Sequence, residues 1–121
     1  SHGEAFQIRA VAWIGLGDWD KALEDIVEAI PLDPLSADGH YVHARVLHHQ
    51  EQFEPAIEAL ERAIQRDAQV SDYYLLRAKC HDQLGNPIGA AADRLQAQRI
   101  DERAKTEAAS SQTPDAAKSE E

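Results

Sequence analysis

The 121-residue chain has no methionine, a single cysteine, and only seven aromatic side chains counting Phe, Trp and Tyr together (2, 2 and 3). Cys80 has no second thiol to pair with, so no intrachain disulfide can hold the fold. A reducing compartment is therefore permitted, and the cytoplasm is the expected location. Cations are scarce as well: 12 Lys and Arg stand against 22 Asp and Glu, a formal net charge of −10. Proteins that track phosphates or anionic lipid carry a basic footprint, so neither nucleic acid nor a membrane surface is the expected partner. No apolar run approaches the roughly 20 residues of a membrane span, and no basic start leads into the apolar stretch of a signal peptide. Ser1-His2, with no initiating Met, reads as the remnant of a cleaved tag, and residues 1–2 are set aside.

Ala, Leu, Glu, Gln and Arg outnumber the β-branched residues, a balance that favours helix. Hydrophobic residues make up 43%, enough to build the core of one domain. The chain aligns with itself without gaps when displaced by 34 residues. Ala10, Ala44 and Ala78 then coincide, as do Ala22, Ala56 and Ala90, and Ala29, Ala63 and Ala97. Asp33, Asp67 and Asp101 close the units, and Trp19 falls on Phe53 and Gly17 on Gly85. Each unit holds two stretches with helical apolar periodicity separated by a turn signal. First helices are predicted near 4–16, 37–50 and 71–84, and second helices near 19–31, 54–67 and 87–108. Small alanines recur where two helices must cross closely. Asn86-Pro87 is a helix start, a capping side chain followed by Pro at the first helical position. Pro34 stops the second helix of the first unit, and Pro31 is expected to end or distort its last turn slightly sooner.

Period, hairpin content and the small/aromatic register together resemble the tetratricopeptide repeat family. The first unit carries the pattern on Phe6, Ala10, Trp13, Gly17, Trp19, Ala22, Ile26, Ala29 and Pro34. The second keeps Ala44, Leu47, Phe53, Ala56, Leu60 and Ala63 but has Glu51 for Gly and Ala68 for Pro; the third keeps Tyr74, Ala78, Gly85, Ala90 and Ala97 but has Pro87 for the bulky aromatic. The resemblance implies an all-α, right-handed superhelical solenoid of three antiparallel hairpins: residues 3–36, 37–70, and 71–109 with an extended last helix. From Ser110 to the end the sequence is small and polar, too poor in apolar area to offset ordering entropy, and is expected to be a disordered tail.

Differences between the copies are as informative as their likeness. The seventh position of the repeat is Arg9, His43 and Arg77; sixteen residues on come Asp25, Ala59 and Asp93. Charge appears at both positions or at neither, which points to structural ion pairs Arg9–Asp25 and Arg77–Asp93. The face of each second helix that should meet the next unit is Leu23, Ile26 and Ile30, then Ile57, Leu60 and Ile64, but finally Ala91, Arg94 and Gln98. A terminal repeat needs such a polar face, so the array is expected to end there. Residues 5–16 are apolar almost all round, which expects burial on more than one side, by a preceding helix or domain or by self-association.

No phosphate loop, nucleophile elbow or HExxH motif is present, and no enzyme activity or cofactor is expected. His40, His43, His48 and His49 crowd one helix, but none are spaced i, i+4 and they fall at different registers, so no metal site is expected. Cys80 reads as a small buried hydrophobe.

In the resembled family the first helices line a concave peptide-binding surface. Carrying those registers over implies a groove that includes Gln7, Val11, Tyr41, Arg45, His48, Leu75, Lys79 and Asp82. Arg45 and Lys79 share one register on adjacent helices and should form a cationic spot, with Tyr41 and Leu75 as an apolar patch one turn away. That combination suits a segment of another protein bearing an acidic side chain or terminal carboxylate. The alternative is that both cations pair with Asp38, Asp72 or Asp82. The family's chaperone-binding branch clamps a carboxylate with Lys, Asn and Arg at registers held here by Gln7, Val11, Val42, Asp72 and Leu76, so that mode is not expected. The expected role is a non-catalytic scaffold or adaptor. A spacer or self-association segment of a larger protein, joined through the amino-terminal helix, is the competing reading.

Overall fold

Six helices make up the computed structural model, which describes the backbone of residues 1–119 and the side chains of residues 1–110. They are α1 (His2–Gly15), α2 (Trp19–Leu32), α3 (Ala37–His49), α4 (Phe53–Arg66), α5 (Ser71–Gln83) and α6 (Pro87–Ser119). Consecutive pairs are antiparallel hairpins that stack into a right-handed α-solenoid, and the described residues include no strand. Among them no helix is long and apolar enough to cross a membrane.

All three hairpin turns are built alike. After α1 the Gly17 N–H reaches the Ile14 carbonyl and the Asp18 N–H the Trp13 carbonyl. The same pair of bonds recurs from Glu51 and Gln52 to His48 and Leu47, and from Gly85 and Asn86 to Asp82 and His81. This Schellman arrangement needs a left-handed residue just past the helix. Gly17 (φ +79°) and Gly85 (φ +72°) adopt it freely, whereas Glu51 (φ 62°) adopts it against its Cβ. The next helix is capped by Asp18 Oδ1 on the Lys21 N–H and by Asn86 Oδ1 on the Gly89 N–H, but Gln52 at the same register makes no side-chain cap. Ser36 Oγ caps α3 by accepting the Gly39 N–H.

α2 runs through Pro31 to Leu32 rather than stopping short. In the last turn the missing Pro N–H removes one intrahelical bond, and the Asp33 N–H still closes the helix on the Ala29 and Ile30 carbonyls. At the other end α6 continues as helical backbone to Ser119, past the Ser110 where the sequence suggests an unstructured tail. Elongating an existing helix adds a hydrogen bond per residue and needs no tertiary partner, which a burial argument overlooks. Residues 120–121 of that expected tail lie outside the described residues. Arg103 Nη1 ties the start of the extension to Gln69 Oε1 at 3.0 Å, on the α4–α5 connection.

The core lies between hairpins as much as within them. Ala10, Ile14, Ala22, Ile26 and Ala29 of the first hairpin enclose Val42 and Val46 from α3. Ala44, Leu47, Ala56, Leu60 and Ala63 of the second enclose Tyr73, Leu76 and Cys80 from α5. Each first helix therefore seats one face on the hairpin before it, and this stacking holds α3 and α5 side by side.

Candidate peptide-binding groove

α3 and α5 present residues at i, i+3/i+4 spacing toward a common cleft. Tyr41, Arg45 and His48 come from α3, Asp72, Leu75 and Lys79 from α5, and Trp19 at the start of α2 closes one end. The cleft has a volume of about 360 Å³ and is further lined by His49 and Leu76. Tyr41 packs on the buried Tyr73, ring centroids 5.0 Å apart, and the Arg45 guanidinium lies 5.9 Å from the Tyr41 ring centroid. At the Trp19 end the indole stacks on His49, centroids 4.0 Å apart and planes 7° from parallel. Phe53, at the same register one repeat later, meets His48 edge-on at 5.6 Å.

The nearby carboxylates are largely engaged elsewhere. Tyr73 donates its hydroxyl to Asp38 Oδ1 at 2.6 Å, and Asp82 is bridged by Arg94 of α6. Among the described residues no carboxylate lies within 4.0 Å of the Arg45 or Lys79 nitrogens. Asp72 lines the cleft without such a bridge. Burial, and then the field of Asp72, pushes the Tyr41 hydroxyl above its ordinary pKa, so it stays a neutral donor. Burial, and then the neighbouring Lys79, lowers the His48 pKa below its ordinary value. At neutral pH the fixed positive charge of the cleft therefore belongs to Arg45 and Lys79.

Five of the eight groove residues read from the sequence, Tyr41, Arg45, His48, Leu75 and Lys79, come together in this cleft. Gln7, Val11 and Asp82 do not line it. Gln7 Oε1 instead accepts from the Ser36 hydroxyl at 3.1 Å and joins α1 to the start of α3. Val11 is exposed on α1, and Asp82 turns toward α6. Trp19 was missing from the sequence-based set. Its signal is the aromatic register it shares with Phe53, which marks packing but not that the ring crosses to the next hairpin.

The two arginine–aspartate pairs lie apart from the cleft. Arg9 Nε and Nη2 each donate to Asp25 at 2.7 Å, and Trp13 Nε1 adds a third bond at 3.0 Å. The hydrogen bonds from Arg9 outweigh burial and hold the Asp25 pKa below the usual carboxylate value. Arg77 Nε and Nη2 grip Asp93 at 2.9 and 2.8 Å. The histidines are dispersed over different tasks: His40 is buried against the Pro34 carbonyl at 2.9 Å, His43 has its pKa lowered by burial, and His81 Nε2 lies 3.6 Å from Asp93. Burial pushes the Cys80 thiol up to about 11, which leaves it protonated and unreactive at neutral pH.

Similarity to known proteins agrees with this architecture. A crystal structure of MamA superposes with a TM-score of 0.81 at 22% identity, over 88% of this chain and 62% of that one. The TPR2B domain of yeast Sti1, in complex with pHsp70, superposes at 0.81 and 21% identity, covering 87% of this chain and 84% of that domain. The second TPR of Spaghetti (RPAP3), bound to the HSP90 peptide SRMEEVD, gives 0.79 and 19% identity over 83% and 93%. At these identities the likeness is one of fold, and the chain spans about three fifths of two of the MamA chains it matches (59% and 62%). No curated protein sequence matches. The family model for the tetratricopeptide repeat matches residues 14–80, more than half of the chain, and the chain belongs to that family.

Proposed function

We propose that the cleft between α3 and α5 holds a short segment of another protein through an acidic group, and that the chain acts as a non-catalytic scaffold. The observation that carries this reading is a pair of cations, Arg45 and Lys79, with no ion-pair partner among the described residues, beside an apolar seat of Tyr41 and Leu75. Two cations that line one cleft without a bridging carboxylate are available to an external one, and the apolar seat adds contact area that a free ion lacks. Asp72 at the rim offers an acceptor to a backbone or side-chain N–H of the same segment. Solved relatives hold HSP90 and pHsp70 partners, which supports peptide binding as the general mode of the fold. The carboxylate-clamp registers hold Gln7, Val11, Val42, Asp72 and Leu76, and of these Val42 and Leu76 are buried in the inter-hairpin core. A chaperone tail held by that clamp is therefore not the proposed ligand.

Partner capture from the source cell, repeated with Arg45→Glu plus Lys79→Glu, tests the assignment. Loss of specific partners is expected, while an unchanged set of partners would overturn it. The spacer or self-association reading draws on one observation, the exposed apolar face of α1. Light scattering across concentration tests it, a strict monomer counting against self-association.

A further inference from the structure

The α3–α5 cleft carries its charges in a fixed order along the helices. Asp72, Leu75 and Lys79 follow one another at i, i+3 and i+7 on α5. Tyr41 and Arg45 stand at the registers of Leu75 and Lys79 on α3. Seven residues of helix separate Asp72 from Lys79 by about 10 Å along the axis, and the two do not bridge. The cleft thus has a carboxylate toward one end, an apolar seat in the middle and two cations toward the other. Tyr41 feels both ends: the field of Asp72 raises the pKa of its hydroxyl and that of Arg45 lowers it.

The acid recurs with the repeat, as Glu4, Asp38 and Asp72 in the first turns of α1, α3 and α5. A carboxylate there stabilises its helix through the macrodipole, which accounts for the three as a set. The copies differ in what meets them. Asp38 accepts the Tyr73 hydroxyl at 2.6 Å, whereas the exposed Asp72 carboxylate has no hydrogen-bond or ion-pair partner among the described residues. Asp72 lines the same cleft as the two unbridged cations. A segment acidic throughout would meet repulsion at Asp72, and from a chain of formal net charge −10 as a whole.

Building on the peptide-binding reading of this cleft, we infer that its occupant is a charge-balanced stretch of a partner protein. A basic side chain points to Asp72, an apolar one rests on Tyr41 and Leu75, and an acidic one points to Arg45 and Lys79, in that order. In an extended segment the side chains at i, i+2 and i+4 share one face and span about 13 Å. The flexible ends of the arginine, lysine and glutamate side chains absorb the difference from the axial separation of the charges in the cleft. Asp72 is on this account a specificity-determining residue, which sets the residue accepted four places from the acid.

The test uses the full chain and the peptides Arg-Ser-Leu-Ser-Glu, Ser-Ser-Leu-Ser-Glu and Glu-Ser-Leu-Ser-Glu, read by fluorescence anisotropy. Each carries an uncharged fluorophore at its amino end and an amide at the other, so that only side chains are charged. The arginine peptide should bind about two- to fivefold tighter than the serine peptide, with the advantage shrinking at high salt, and the glutamate peptide should bind weakest. Leu-Ser-Arg-Ser-Glu, of the same composition in another order, should lose the advantage. Asp72→Asn should make the arginine and serine peptides equal, and Asp72→Lys should invert the ranking in favour of glutamate. A residue with a merely structural role would shift all three peptides alike. Equal binding of the arginine and serine peptides to the unaltered protein, with both weakened by Arg45→Glu plus Lys79→Glu, would overturn the inference and leave the cleft as an acid-binding site. Absence of binding by every peptide, or binding indifferent to that double substitution, would overturn both.

Discussion

At the scale of single residues, two positions carry local cost or dependence that can be measured. Glu51 occupies the left-handed turn position that Gly17 and Gly85 fill in the other hairpins. Glu51→Gly relieves the Cβ conflict at the expense of extra freedom in the unfolded chain. A net gain of about 0.5–1 kcal/mol is expected in urea unfolding, with the slope unchanged. The arginine–aspartate pairs differ in shielding: Arg77 is 22% exposed and Arg9 60%, while both aspartates are buried. Asp93→Ala leaves a half-buried guanidinium without its acceptor and should cost about 2–4 kcal/mol. Asp25→Ala should cost clearly less, because water reaches Arg9 and takes over its bonds. Equal losses in the two variants would mean that shielding does not govern the pairs.

At the scale of elements, helix positions were legible because apolar period and turn chemistry repeat three times and agree. The copies differ at the caps: Asp18 and Asn86 bond the first turn of α2 and α6, and Gln52 does not bond that of α4. Gln52→Asp should add about 0.5–1 kcal/mol of stability, visible as a higher urea midpoint, and should not be additive with Glu51→Gly beside it. The cleft was legible where it depends on register within first helices, as for Tyr41, Arg45, Leu75 and Lys79. It was not legible where a side chain leaves its own hairpin or finds a partner outside the repeat pattern. Trp19 reaches His49, Tyr73 satisfies Asp38 across 35 residues, and Arg94 draws Asp82 to α6. None of those contacts has a periodic signature, and the last two decide which carboxylates are free to neutralise the cleft. The extended last helix was legible in the sequence, and the helical backbone of α6 runs beyond it to Ser119.

At the scale of the whole molecule, stability should fall in two stages on acidification. His43 and His48 have folded pKa values below their ordinary one, so the unfolded chain binds protons first. Their contribution is complete above pH 6.5 and declines as pH falls below it. Asp25 has a folded pKa below 3.8, so its contribution is complete above that value and is lost at lower pH, as the folded carboxylate protonates. A melting temperature that stays level between pH 7 and 5 would contradict the first stage. Protonating His48 also adds charge to the cleft, so affinity for an acidic peptide should rise as pH falls through its lowered folded pKa.

The polar outer face of α6 has a consequence for assembly. A contact between the tail of one copy and the head of the next is heterologous, and a heterologous contact that does not close into a ring propagates into a filament. Ile8 and Val11 of α1 are exposed in residues 1–121, and Ala91, Arg94 and Gln98 give α6 no apolar face to seat against them. Ala91→Ile, Arg94→Leu and Gln98→Ile together copy the α4 face onto α6. The triple variant should grow fibres with rising concentration, and Ile8→Asp in the same chain should stop them.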